Sequence, residues 1–236
     1  MIAAGVMFIS LLIISLIAYA KPVHAALVNY SAMVELSPDI YIEPDLSQDI
    51  KEELLHYVDR SRDKLEAVFG GRSSEPCLIL ALSAKQLDKY AENPTGQTYY
   101  LPWRNYIVIG PDGFNENVIS HELTHAELRE RLHNRNVVPV WFDEGLASMV
   151  DGRFAKLTTP GETKEQDAGL AGLEPLDTHE AFNYGTAEAW KNYITACSEV
   201  TRWYSIAGQD GLLRLIHALN QGADFTEQYI RIEQEG

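Results

Sequence analysis

Five consecutive residues, His121-Glu122-Leu123-Thr124-His125, carry the most specific chemical pattern in the chain. Two histidines four positions apart on a helix lie within roughly 40° of one another, so both imidazoles leave it on one face. Neutral imidazoles at that spacing can bind one Zn²⁺ at about 2.0–2.1 Å each, while Glu122, one position on, reaches a metal-bound water rather than the metal. The pattern therefore offers His121 and His125 as metal ligands and Glu122 as a general base. Its plainer reading is a pair of surface histidines on an amphipathic helix. A catalytic site also needs a third protein ligand and an open fourth position. Trp141-Phe142-Asp143-Glu144-Gly145-Leu146-Ala147 follows Pro139 and presents two adjacent carboxylates, Asp143 and Glu144, with eighteen residues between His125 and Glu144.

Together these two segments resemble the zinc-binding core of gluzincin metallopeptidases, the thermolysin and aminopeptidase-N type, with a spacing closer to the aminopeptidase branch. The metzincin pattern is absent, because Leu128 and Arg131 stand where it has a glycine and a third histidine. The resemblance implies Glu144 as the third ligand, since the family places it directly before Gly-Leu-Ala or Gly-Phe-Ala, and leaves Asp143 to cap the second helix. It also implies a tyrosine opening a downstream helix and aimed at the scissile carbonyl, where its hydroxyl stabilises the oxyanion. Tyr193, at the start of a stretch that runs to Tyr204 and Gly208, matches that position, and Tyr184 is the reserve. The bland alternative for Tyr193 is a helix tyrosine with its ring in the core. His56, His133, His179 and His217 lie in no ligand spacing.

The fold implied is α+β, a zincin-like two-lobed domain with a small mixed α/β N-terminal lobe and a mainly helical C-terminal lobe. The activity implied is zinc-dependent hydrolysis of a peptide or protein substrate. The Gly-x-Met-Glu-Asn segment of the exopeptidases has no counterpart between Pro76 and Asn117, so an endopeptidase is expected. Ser148, one turn past Glu144, is not an acid, so the histidines must find their outer partners elsewhere. The resemblance covers about residues 105–222, with specific motifs at the two zinc segments. An accessory binding module on the same fold, without peptidase activity, is the alternative.

The elements that must position these residues follow from pattern. Ser47 can cap a helix with apolar positions Ile50, Leu54, Val58, Leu65 and Val68, ended by Gly70-Gly71. The run from Cys77 to Leu82 reads as a buried strand, 84–90 as a short helix, Asn93-Pro94-Thr95-Gly96 as a turn, and 106–109 as a second strand. That second strand is expected to be the edge along which an extended substrate could pair. Beyond Gly113 helices are expected over 118–132, 142–149, 186–207, 211–220 and 225–232, with a surface loop over 158–178. Asn115 or Asn117 can cap the first of these. The boundary between lobes falls inside that helix.

From Ile2 to Ala20 there is no charged residue, a stretch about long enough to cross a ~30 Å hydrocarbon core. Ala18-Tyr19-Ala20 and Val23-His24-Ala25 both suit a signal-peptidase site, yet no Lys or Arg precedes the apolar run and Lys21 follows it. Residues 1–25 are therefore expected to be a signal peptide or N-terminal membrane anchor, and 26–236 the peptidase domain, exported or held at a membrane by that segment. Nineteen Lys and Arg against 34 Asp and Glu leave a net charge of −15, a surface that repels phosphate backbones and argues against nucleic acid as a partner. Two cysteines are too few for a disulfide scaffold or a Cys-rich metal site. Cys77 and Cys197 read as buried thiols, although export would permit them to pair.

Overall fold

The computed structural model describes residues 20–134, 137–156, 173 and 176–236 of the 236. The chain divides into two compact units, one made of Met1–Leu55 with Glu75–Phe114, the other of His56–Ser74 with Asn115–Gly236. The first holds every strand among the described residues, and the second is helical, so the architecture is the α+β one expected. The division falls at Phe114, just ahead of the central helix, and 56–74 joins the later residues.

The first unit begins with α1 (Ala20–Ala26) and a short 3₁₀ turn, then β1 (Val34–Ser37), β2 (Ile40–Ile42) and the start of α2 (Gln48–Phe69). After Ser74 it resumes with β3 (Cys77–Leu80), α3 (Ala84–Tyr90), β4 (Gly96–Leu101) and β5 (Arg104–Ile109). The strands form one sheet in the order β1-β2-β3-β5-β4. β2, β3 and β5 run parallel, with Leu78 opposite Ile40 on one side and Ile107 on the other, and antiparallel β1 and β4 close the edges. All four residues of β3 are buried, as a central parallel strand covered on both faces requires.

Two expectations change here. The strand over 106–109 is internal, paired to β3 and β4, so it cannot serve as an edge for a substrate; β4 is the edge on that side of the sheet. The turn at Asn93–Gly96 leads straight into β4, whose Gly-Gln-Thr opening conceals its strand character. Gly113 is required by packing at this corner, because a Cβ there would lie 1.8 Å from the Thr95 carbonyl oxygen.

In the second unit the C-terminal part of α2 is joined by α4 (Glu116–Arg131), α5 (Val140–Asp151), α6 (Ala187–Asn220) and α7 (Phe225–Glu235). α6 contains both helices expected over 186–220, with the break at Gly208, where φ is 62°. Side chains of Thr186 and Asp224 cap α6 and α7. An aromatic core joins α5, α6 and α7: Trp203 stacks on Tyr229 with centroids 4.8 Å apart, and Phe142 lies 5.1 Å from Phe225. The loop expected over 158–178 lies outside the described residues except for Leu173, which is buried, and 176–178. Cys77 and Cys197 are buried and form no disulfide. Residues 1–19 lie outside the described residues, and no helix among the described residues is long and apolar enough to cross a membrane.

Candidate metal centre

α4 starts where a side chain can satisfy its first amides: Asn115 Oδ1 accepts from Val118 N at 3.0 Å. Ile119, Ala126 and Leu128 are fully buried, which fixes the rotation of the helix. Glu127 ties α4 to the end of the α2 segment, accepting from Ser73 N and Ser74 N at 2.8 Å and pairing with Arg131 at 2.6 Å. Ser120 Oγ donates to Ser61 Oγ at 2.8 Å. His121 and His125 are therefore carried on a helix held along its length, and they are only 6% and 8% exposed.

α5 supplies the carboxylate. Its approach to α6 depends on Gly145, where a Cβ would lie 2.6 Å from the Ala196 carbonyl oxygen. The position after Glu144 thus has to be glycine for α5 to lie this close, which sets the depth of Glu144. Donor atoms of His121, His125 and Glu144 all lie within 4.8 Å of one another, a group able to hold a metal ion. The two Nε2 atoms are 3.1 Å apart, and Glu144 Oε2 is 3.2 Å from Nε2 of His121 and 3.6 Å from Nε2 of His125.

The opposite ring nitrogens explain why the Nε2 atoms point inward. His121 Nδ1 is 3.0 Å from Asp151 Oδ2, and His125 Nδ1 is 2.8 Å from Asp143 Oδ1. An ionised carboxylate only accepts, so each Nδ1 carries the hydrogen and, in the neutral ring, each Nε2 presents a lone pair. Each of these acids is held in turn by an arginine: Asp151 by Arg153 at 2.6 Å, Asp143 by Arg129 at 2.5 Å. Two lone pairs and the buried Oε2 of Glu144, which has no hydrogen-bond partner, face one point. A cation there satisfies all three, and the residues fit a metal.

Electrostatics agree with the geometry. Burial works against a charged His121, but the hydrogen bonds to Asp151 and Glu144 outweigh it and raise its pKa above the usual histidine value. Burial likewise opposes ionised Glu144, yet the neighbouring His125 and His121 hold its pKa well below the ordinary carboxylate range. Asp143 is also lowered, with His125 and Arg129 overcoming burial.

The chain matches no protein-family model, no curated protein and no solved structure. What the site can do rests on its own atoms.

Of the residues singled out from sequence, His121, His125 and Glu144 come together. Glu122 follows His121 on α4. Asp143 departs from its expected role. The residue before α5 is Pro139, and Asp143 sits inside the first turn, bridging His125 and Arg129 rather than capping. Tyr193 lies beside the site with its ring 6.1 Å from that of His121. Tyr184 is there as well, donating from its hydroxyl to Glu144 Oε1 at 2.5 Å, while His179 Nδ1 lies 3.2 Å from the same hydroxyl. Burial, then the charge of Glu144, raises the pKa of both tyrosines, so both stay protonated donors. Asp151 was missed, although a signal exists: it lies seven residues after Glu144, two helical turns on, and so on the same face of α5.

Proposed function

We propose that the chain is a zinc-dependent peptidase of the gluzincin kind, acting as an endopeptidase on peptide or protein substrates. The observation that carries this reading is the convergence of two imidazole lone pairs and one carboxylate oxygen on a single point, with each histidine's other nitrogen committed to an acid. Nitrogen and oxygen donors in a three-residue set, with the fourth position left open, suit catalytic zinc. Bound there, zinc supplies Lewis-acid polarisation of the scissile carbonyl and a water acidic enough to attack near neutral pH.

The chain's own groups do the rest. His121, His125 and Glu144 hold the ion, and Asp151 and Asp143 fix the ring orientation of the two histidines. Glu122 takes the proton of the attacking water on its carboxylate and returns it to the leaving amine. Tyr184 occupies Glu144 Oε1, which keeps that carboxylate turned so that Oε2 faces the histidines. Tyr193 is the donor to the oxyanion.

The test is cleavage of a peptide library by the purified protein with and without a chelator, paired with metal analysis. The expected result is one zinc per chain and chelator-sensitive cleavage. Glu122→Gln is expected to retain the metal and to lose about 10²- to 10⁴-fold in rate. Full activity in Glu122→Gln, or cleavage indifferent to chelator, refutes the reading. Tyr193→Phe is expected to lower kcat with metal content unchanged, and an unchanged kcat removes Tyr193 from the mechanism.

A further inference from the structure

Glu144 is held on both of its oxygens. Oε2 faces the two histidines, and Oε1 accepts from the Tyr184 hydroxyl at 2.5 Å. That hydroxyl has one hydrogen, so with Glu144 as its acceptor it meets any other partner through oxygen. His179 Nδ1 lies 3.2 Å from the same oxygen and must therefore be the donor in that contact. The neutral ring with its hydrogen on Nδ1 and the imidazolium both supply this donor. The order of the chain is thus fixed, from His179 Nδ1–H to the Tyr184 hydroxyl to Glu144 Oε1.

The backbone around Tyr184 is built for one placement. Phe182 is fully buried, its ring 4.9 Å from that of Tyr193 and 5.2 Å from that of Tyr184, and its carbonyl accepts from Asn192 Nδ2 at 3.1 Å. Asn183 (φ 58°) and Gly185 (φ 78°) take the left-handed conformation on either side of Tyr184, one that a non-glycine residue seldom adopts. Thr186 Oγ1 donates to the Asn183 carbonyl at 2.8 Å and braces the turn. The hydroxyl still lies at the rim of the site, since Tyr184 is 40% exposed, and water competes there for its hydrogen. A donor on the lone-pair side of the oxygen leaves Glu144 as the direction for that hydrogen.

We propose that His179 is a positioning residue of the metal centre, acting through Tyr184: it directs the Tyr184 hydroxyl onto Glu144 Oε1 and so keeps Glu144 with a single oxygen, Oε2, turned to His121 and His125. A carboxylate released from Tyr184 offers both oxygens, and a two-oxygen ligand takes up the position that catalysis needs open. The role rests on the metal-binding reading of the three ligands and holds whether or not the substrate is a peptide. His179 stands outside the ligand spacing because it acts from two hydrogen bonds away.

The experiment titrates the purified protein with Zn²⁺ against a chromophoric chelator, for the wild type, His179→Phe, Tyr184→Phe, the double variant and His179→Asn, with Tm measured for each. Phenylalanine at 179 keeps a ring beside Tyr184, where the two centroids are 5.7 Å apart, and loses only the donor, whereas asparagine restores an N–H in the place of Nδ1. Tyr184→Phe is expected to weaken Zn²⁺ binding by about 10- to 100-fold, as loss of a ligand's outer partner does, and His179→Phe by a smaller factor of roughly 3 to 10. His179→Asn is expected to bind as the wild type does, and His179→Phe to add no further loss in the Tyr184→Phe background. Loaded with Co²⁺, His179→Phe and Tyr184→Phe should share an altered visible absorption, the signature of a changed coordination number. Wild-type affinity in His179→Phe, an equal loss with and without the Tyr184 hydroxyl, or His179→Asn as weak as His179→Phe overturns the proposal and leaves the metal centre standing. A wild-type chain that binds no Zn²⁺ overturns the centre itself, and this role with it.

Discussion

The two units bury different things. Among the buried polar and charged residues, Asn105 alone belongs to the first unit, whereas the second encloses His121, His125, Glu127, Asp143, Glu144, Asp151 and Glu199 along with several hydroxyls. The first is an apolar sheet whose parallel centre reads as Leu, Ile and Val. The second accepts the desolvation of seven ionisable groups, which is tolerable only where each is paired or hydrogen-bonded. The difference teaches where a metal could be held: Asp143, Glu144 and Asp151 lie against the two histidines, whereas Glu127 and Glu199 are neutralised by Arg131 and Arg202.

The comparison is broken most directly by removing a ligand. His125→Ala is expected to abolish stoichiometric metal binding, read by metal analysis of the purified protein, and a variant that keeps its metal shows that the centre lies elsewhere. Asp151→Asn comes next. It removes the charge behind His121 and is expected to weaken metal affinity by about 10- to 100-fold in a competition titration. Acidification tests the same linkage. Because the pKa of His121 is raised, its imidazolium persists above the usual histidine range, and metal binding must displace that proton. Apparent affinity should fall as pH drops, beginning above the ordinary value of 6.5, whereas a flat profile from about pH 8 to about pH 6 contradicts the charge arrangement.

Smaller effects sharpen the contrast between the units. Gly145→Ala pushes against the Ala196 backbone and is expected to lower stability by about 1–3 kcal/mol in a denaturant titration, and to weaken metal binding by displacing Glu144. In the first unit, Ile79→Val removes one methylene from a fully buried strand and should lower stability by about 0.5–1.5 kcal/mol with metal affinity unchanged. A loss of metal in Ile79→Val would mean that the units are less separate in function than their interiors suggest.

How much of this was legible depends on the range over which each signal acts. His121 and His125 are one helical turn apart, so a five-residue string contains their geometry, and the seven residues from Trp141 do the same for the carboxylate. Apolar runs revealed β3 and most of β5, and capping side chains marked the start of α2 and α4. β1 and β2 escaped because they are three or four residues long, and β4 because its opening Gly-Gln-Thr lacks apolar alternation. α1 escaped for another reason: its alanines read equally well as the end of an export segment. Asp143 was seen but given a local duty, since the first turn of a helix always offers one; its contact with His125 is tertiary. That Tyr184 reaches Glu144 depends on the segment 176–186, which carries no regular pattern.

The path of the chain between the units has a consequence for dissection. Residues 56–74 belong to the second unit, yet 75–114 intervene before its remainder begins, so neither unit is one uninterrupted stretch of sequence. A fragment starting at Asn115 would possess both histidines and Glu144 but not Ser73 and Ser74, leaving buried Glu127 with Arg131 and without the amides that complete its solvation. During synthesis, likewise, the 56–74 segment must wait, already made, until α4 has been added and can receive it.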